Sequence, residues 1–153
     1  MTNVLVTGGC GFIGSSLIAL LQRLGGWRVT VLDNESGGRR TSLDGLRVER
    51  FIAADVRNEA AVADAVAGQD IIIHLAAQTD IMQSVADPST DFEINVGGGL
   101  NLLKAAKAQG LATAFVARPA EYGPGQTTDL SPDAQCVDLV AEDFVALAQK
   151  LGA

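Results

Sequence analysis

Aromatic residues, positive charge, cysteine and histidine are all scarce in this sequence, and it has no long apolar run. Phe, Trp and Tyr make up 5% of its 153 residues, with one Trp and one Tyr. Two cysteines, Cys10 and Cys136, do not make a disulfide framework, and no zinc-ligand spacing accompanies them, so no metal site is expected. Eleven Lys and Arg stand against eighteen Asp and Glu, a net charge of −7, which repels phosphate backbones and argues against nucleic acid as a partner. The one basic pair, Arg39-Arg40, reads as a solvated loop or as a phosphate contact. The apolar start, Val4-Leu5-Val6, is far too short to cross a bilayer, and no secretory leader is recognisable. A reducing, cytoplasmic setting is therefore expected.

What remains is 48% hydrophobic and 19% charged, with 17 glycines, the composition of a globular chain long enough for one domain, here residues 1–153. Asn3–Thr7 is a short apolar run ending at glycines, the mark of a strand buried on both faces. Ile13, Leu17, Leu20, Leu21 and Leu24 then recur at helical spacing, and Gly25-Gly26 stops that helix. Arg28–Leu32 and Val48–Ala53 read as second and third strands, separated by a polar loop from Glu35 to Asp44. Asn58–Ala67 reads as a helix and Asp70–Leu75 as a fourth strand. Asp87-Pro88 is an N-cap followed by proline at the first helical position, opening a long helix to Gly110. Leu111–Ala117 reads as a fifth strand. Ser131-Pro132 repeats the start signal, and Val137, Val140, Phe144, Leu147, Ala148 and Leu151 mark one face of a final helix capped by Gly152. Strands alternating with helices demand a parallel sheet with right-handed crossovers. The expectation is an α/β Rossmann-type doubly wound sheet, five strands in order 3-2-1-4-5, in three α/β/α layers.

The chemistry lies in the turn after the first strand, Gly8-Gly9-Cys10-Gly11-Phe12-Ile13-Gly14. Glycines spaced as G-x-x-G-x-x-G follow a buried strand and open a helix, and Asp33 ends the next strand 19 residues after Gly14. Gly8 permits a sharp turn, Gly11 lets a pyrophosphate approach the backbone, and Gly14 lets the helix pack close to the sheet. The helix start, with its unpaired N–H groups and dipole, favours the phosphates. Asp33 accepts from adenosine ribose hydroxyls and repels a 2′-phosphate, which favours NAD over NADP. Asp55, ending the third strand, either meets the adenine or simply caps the strand end. Leu75-Ala76-Ala77-Gln78 leaves the fourth strand at the switch point, where small alanines let a flat cofactor lie against the backbone. His74, ending an apolar strand, reads as a satisfied core residue rather than a catalytic base.

Together these stretches resemble the extended short-chain dehydrogenase/reductase family, and within it the NAD-dependent sugar-nucleotide epimerases and dehydratases of UDP-glucose 4-epimerase type. The residues that carry the resemblance are Val6–Ser15, Leu32-Asp33-Asn34, Ala54–Arg57, His74–Gln78, Ser84–Pro88, Asn95-Val96 and Asn101–Ala106. The resemblance implies NAD binding by Gly8, Gly11, Phe12, Ile13, Gly14, Asp33, Asn34, Asp55, Val56, Leu75, Ala76, Ala77 and Gln78. It also sets Asn95 on the helix beside the active site, although a polar residue tolerated mid-helix is an equal reading. Family enzymes place a Tyr, with a Lys four residues on, where the Tyr exchanges a proton with a sugar hydroxyl as NAD takes the hydride. The one tyrosine here is Tyr122, followed four residues on by Gln126. Residues 110–126 instead resemble a later family strand and loop, as if the catalytic strand and helix and the substrate lobe had been skipped.

The function expected is therefore NAD binding by a shortened epimerase/dehydratase-like chain without normal epimerase catalysis. The alternative is a small active NAD-dependent epimerase or oxidoreductase that uses Tyr122, with Gln78, Thr79 and Asp80 near the nicotinamide. A third reading is a folded fragment completed by another chain. A nucleotide sugar is the implied second ligand. Gly97-Gly98-Gly99 in the long helix suggests either close backbone approach to another helix or a local kink. In the family this helix lies at the dimer interface, so a homodimer is expected.

Overall fold

The computed structural model describes residues 1–117 and 137–150 and separates into two compact units, one of Met1–Leu111 and one beginning at Ala112. The first is built from β1 (Thr2–Thr7), α1 (Phe12–Leu24), β2 (Trp27–Asp33), β3 (Arg50–Ala53), α2 (Glu59–Val66), β4 (Ile71–His74), α3 (Ile81–Ala86), α4 (Pro88–Phe92) and α5 (Gly98–Ala108). Its four strands pair in parallel in the order β3-β2-β1-β4. This is the doubly wound, Rossmann-like arrangement predicted for the first four strands.

The period-two alternation of the strands sends successive side chains to opposite faces. Val4 and Val6 of β1, with Val29 and Val31 of β2, pack against Ile18 and Leu21 of α1. Leu5 and Leu32 point the other way, onto Val62, Ala65 and Val66 of α2 and Leu102 of α5. Because β1 has partners on both edges and helices on both faces, Val4, Leu5, Val6 and Thr7 are all fully buried. The layering of helix, sheet and helix follows directly from that alternation.

Helix starts follow local chemistry. Asn58 accepts from Ala61 N–H at 3.1 Å to cap α2. Asp80 accepts from Met82 and Gln83 N–H to cap α3, a helix the apolar periodicity did not disclose. Asp87 accepts from Thr90 N–H ahead of Pro88, as the sequence predicts. From Pro88 to Ala108 the chain stays helical, but Glu93–Gly97 forms a π-helical turn between α4 and α5. The triple glycine marks a local irregularity in the helix and one close contact, though not the expected one with another helix. The helix loosens just before Gly98, and at Gly98 a Cβ would sit 2.5 Å from Val56 Cγ2. The close neighbour is the segment after β3 rather than another helix.

The second unit contains β5 (Ala114–Val116), β6 (Leu139–Ala141) and α6 (Phe144–Lys150). The predicted fifth strand forms, but its parallel partner is β6, with Phe115 opposite Val140. The apolar pattern places Val137 and Val140 in the final helix, and the structure corrects this. Leu139-Val140-Ala141 is a strand, and the helix begins after Asp143, which accepts from Ala146 N–H at 2.7 Å. An apolar run of three can match either period, and the ladder offered by β5 settles it as strand. Ser131-Pro132 and Gly152 lie outside the described residues. Among those described, no helix is long and apolar enough to cross a membrane.

Candidate functional site

The register of the sheet lines up its carboxyl ends. Thr7 lies opposite both Leu32 and His74, and Asp33 lies opposite Ala53. The residues that follow each strand are thereby gathered along one edge. The winding direction reverses between β1 and β4, and a crevice opens there. It is a cleft of about 660 Å³, within the range of small-molecule and cofactor sites.

The glycine turn forms one wall. Gly8 has φ +69°, and a Cβ on it would fall 2.7 Å from Ala76 N and 2.8 Å from the Leu75 carbonyl carbon. The turn after β1 therefore presses directly on the segment after β4. A Cβ on Gly14 would run into the Gly8 carbonyl oxygen and lie 2.7 Å from Gly9 Cα. At Gly11 the same atom would meet only that carbonyl, at 3.3 Å, so this side stays open for a ligand. Gly11 caps α1 without a side-chain hydrogen bond, which suits a helix start that greets an anion. Phe12 and Ile13 line the cleft yet are 88% and 66% exposed, an apolar surface that a bound molecule would cover.

Asp33 closes the second wall. Its Oδ2 accepts from Cys10 N–H at 2.8 Å and its Oδ1 from Glu35 N–H at 2.7 Å. Asp33 is buried, 7% exposed as a residue, and each carboxylate oxygen keeps a lone pair for a further donor such as a ribose hydroxyl. Burial first, then the Asp33 and Glu35 charges, push the Cys10 thiol up to about 11, so it stays neutral and unreactive near pH 7. Asn34 donates to Asp55 Oδ2 at 2.9 Å. Asp55 also takes a two-pronged contact from Arg57, at 3.0 and 2.9 Å, and the Arg57 N–H at 2.9 Å. Those bonds, the Arg57 side chain foremost, hold its carboxyl down at about 2. Asp55 thus lines the cleft while also bonding the backbone of the turn that follows β3. Val56 lines the cleft too.

The third wall is Leu75-Ala76-Ala77-Gln78, and its shape is set by Thr7. The Thr7 hydroxyl is fully buried and accepts from Leu75 N–H at 3.1 Å and Ala76 N–H at 3.2 Å. With both lone pairs engaged, its own proton goes to His74 Nδ1, 2.6 Å away. We therefore assign His74 as the neutral tautomer with its proton on Nε2. Partial burial of the ring also lowers its pKa. Asn95 does not line the cleft. It clamps Gln78, accepting from its N–H at 2.8 Å and donating to its carbonyl at 3.2 Å.

Apart from Asn95, every cofactor residue that the sequence suggested for this region lines this cleft. Tyr122 lies outside the described residues. Sequence reasoning missed Thr7, Arg57, Ser36 and Gly38. A threonine ending a fully buried strand needs partners for its hydroxyl, and an acidic residue two before an arginine often bonds its backbone. Both signals were present but are individually common.

The chain matches the NAD dependent epimerase/dehydratase family over residues 4–138. It is 39% identical over 117 residues to UDP-glucose 4-epimerase of Klebsiella pneumoniae, covering 71% of this chain and 83% of that protein. It is 41% identical over 113 residues to CDP-paratose 2-epimerase of Salmonella typhi, covering 69% of this chain but 32% of that one. Among solved structures, the complex of Thermus thermophilus UDP-glucose 4-epimerase with NAD superposes with a TM-score of 0.65 at 36% identity. That match covers 84% of this chain and 43% of the other. The chain thus spans about a third to under half of two of these relatives and most of the third.

Proposed function

The chain belongs to the NAD-dependent epimerase/dehydratase family, and on that premise we propose that it binds NAD in the cleft between β1 and β4 without carrying normal epimerase catalysis. The observation that carries this reading is the Asp33 carboxylate, fixed by two backbone N–H groups beside a turn in which Gly8 and Gly14 have no room for a Cβ and Gly11 stays open. Gly8, Gly11 and Gly14 would hold the pyrophosphate against the start of α1. Asp33 would hold the adenosine ribose, with Asn34, Asp55 and Val56 toward the adenine and Leu75–Gln78 toward the nicotinamide. Bound NAD would supply a hydride acceptor.

Using that acceptor on a sugar hydroxyl needs a base. The one tyrosine, Tyr122, has Gln126 and no lysine four residues on, and a tyrosine without such help keeps a pKa of about 10. Binding therefore survives in this reading while proton transfer does not. A nucleotide sugar is the second ligand suggested by the family. A cytoplasmic location is proposed with it, in keeping with Cys10 as a free thiol.

We further propose a homodimer. Phe92, Val96, Leu100 and Leu103 are exposed along one helical stripe, beside exposed Ile81, Met82 and Val85 of α3. Titration calorimetry tests the main reading: NAD binds with a one-to-one endpoint, and no heat at millimolar NAD would sink it. Mixing the NAD-loaded chain with UDP-glucose should give no NADH absorbance and no epimerised sugar, and turnover would return the chain to the catalytic members of its family.

A further inference from the structure

The loop after β2 holds the one non-glycine residue with positive φ among the described residues, Glu35 at +58°. Such a backbone is unfavourable for a glutamate, and it is held at both ends. The Glu35 N–H donates to Asp33 Oδ1 at 2.7 Å, and its Oε2 accepts from Arg40 N–H at 3.0 Å. Arg40 opens a short 3₁₀ turn, Arg40–Leu43, and its guanidinium carbon lies 4.4 Å from the centre of the Phe51 ring on β3. The loop is pinned once more at Gly38, where a Cβ would strike the Cys10 carbonyl.

The result is a division within one short loop. Ser36, Gly37 and Gly38 line the cleft, whereas neither Arg39 nor Arg40 does. An arginine just beyond the second strand is the usual means of accepting a ribose 2′-phosphate. Here that cation is present but seated on an aromatic face, where cation–π attraction keeps it. It is still close to the pocket: the charge of Arg40 is felt at the Cys10 thiol, where it opposes the effects of Asp33 and Glu35.

We propose that Glu35 sets the preference for NAD over NADP, its backbone N–H fixing the Asp33 carboxylate and its side chain holding the Arg40 backbone N–H, and with it the turn that seats the guanidinium on Phe51, away from a 2′-phosphate. The inference rests on the reading of the cleft as a dinucleotide site. Glu35 acts as a positioning residue: it touches Asp33 and Arg40, and those two decide which ribose is accepted.

Calorimetric dissociation constants for NAD and NADP, measured on the unsubstituted chain, Glu35→Ala, Arg40→Ala and the double variant, test it. Glu35→Ala, which removes the acceptor for the Arg40 N–H, narrows the NAD preference by about fivefold, the scale of one solvent-exposed charge meeting a phosphate, and the narrowing shrinks in high salt. It disappears in the double variant, because the released guanidinium is then missing. Phe51→Leu, which removes the ring and keeps much of its bulk, narrows the preference in the same direction. An unchanged preference in Glu35→Ala, or a narrowing that persists without Arg40, overturns the inference and leaves NAD binding intact. An unsubstituted chain that binds neither dinucleotide overturns the proposed function and this inference together.

Discussion

A methyl group added at Gly14 would meet backbone on every near side, and backbone cannot swing away as a flexible side chain can. Gly14→Ala should therefore displace the turn, costing about 1–3 kcal/mol of stability and weakening NAD at least about tenfold through the lost alignment of the helix start. Calorimetry and urea unfolding on one sample report both. Asp55 gives a pH signature instead. Its carboxyl sits at about 2, held there by Arg57, whereas in the unfolded chain it takes a proton near pH ~4. Unfolding thus takes up a proton between those values. The stabilisation is complete above pH ~4 and is lost as the pH falls through about 2. Arg57→Ala should flatten that part of the urea-midpoint profile relative to the parent, and identical profiles would refute the assignment. These residues differ in how visible they were beforehand. Gly14 and Asp33 announce themselves by spacing, whereas the partner of Asp55 depends on a side chain folding back two positions.

At the scale of elements, β1, β2, α1 and α2 were legible because each carries a clear period and a stop signal. The helix α3 was not, since Ile81, Met82 and Val85 face outward and leave no buried stripe to detect. The strand β6 was misread because three residues satisfy a helical and a strand pattern equally, and only the partner β5 decides between them. The π-helical turn was equally hidden, because one extra residue per turn leaves no mark in a glycine-rich stretch. The exposed stripe of α4 and α5 carries its own prediction. Leu103→Glu places a charge on the face proposed to pair, so sedimentation should move from dimer toward monomer while NAD affinity stays within about twofold, since Leu103 lies outside the cleft. A parent chain that is monomeric at high concentration removes the dimer proposal.

At the scale of the whole molecule, the first unit is a scaffold whose strand ends converge on one cleft, and a ligand there ties β1, β2 and β4 together. NAD at a hundredfold excess over its dissociation constant should add about 2.7 kcal/mol to unfolding, seen as a higher Tm in a thermal scan. Tyr122→Phe should leave that gain untouched, because the proposed dinucleotide contacts all come from residues of the first unit. The cleft was readable in outline from sequence because parallel sheets bind at their carboxyl ends. The clamps that shape it were not, since Thr7 and Asn95 act on backbone groups far along the chain and Glu35 acts through its own N–H on Asp33.

The Thr7 hydroxyl has one more effect, and it concerns time rather than shape. Leu75 and Ala76 lie past the last residue of β4, where amides ordinarily trade their hydrogens with solvent as quickly as loops do. Both amides are tied to an oxygen that water does not reach. Deuterium should therefore enter them as slowly as it enters the central strand, and Thr7→Val should release Ala76 while Leu75, which also donates to the Thr7 carbonyl at 3.1 Å, stays protected as β2 does.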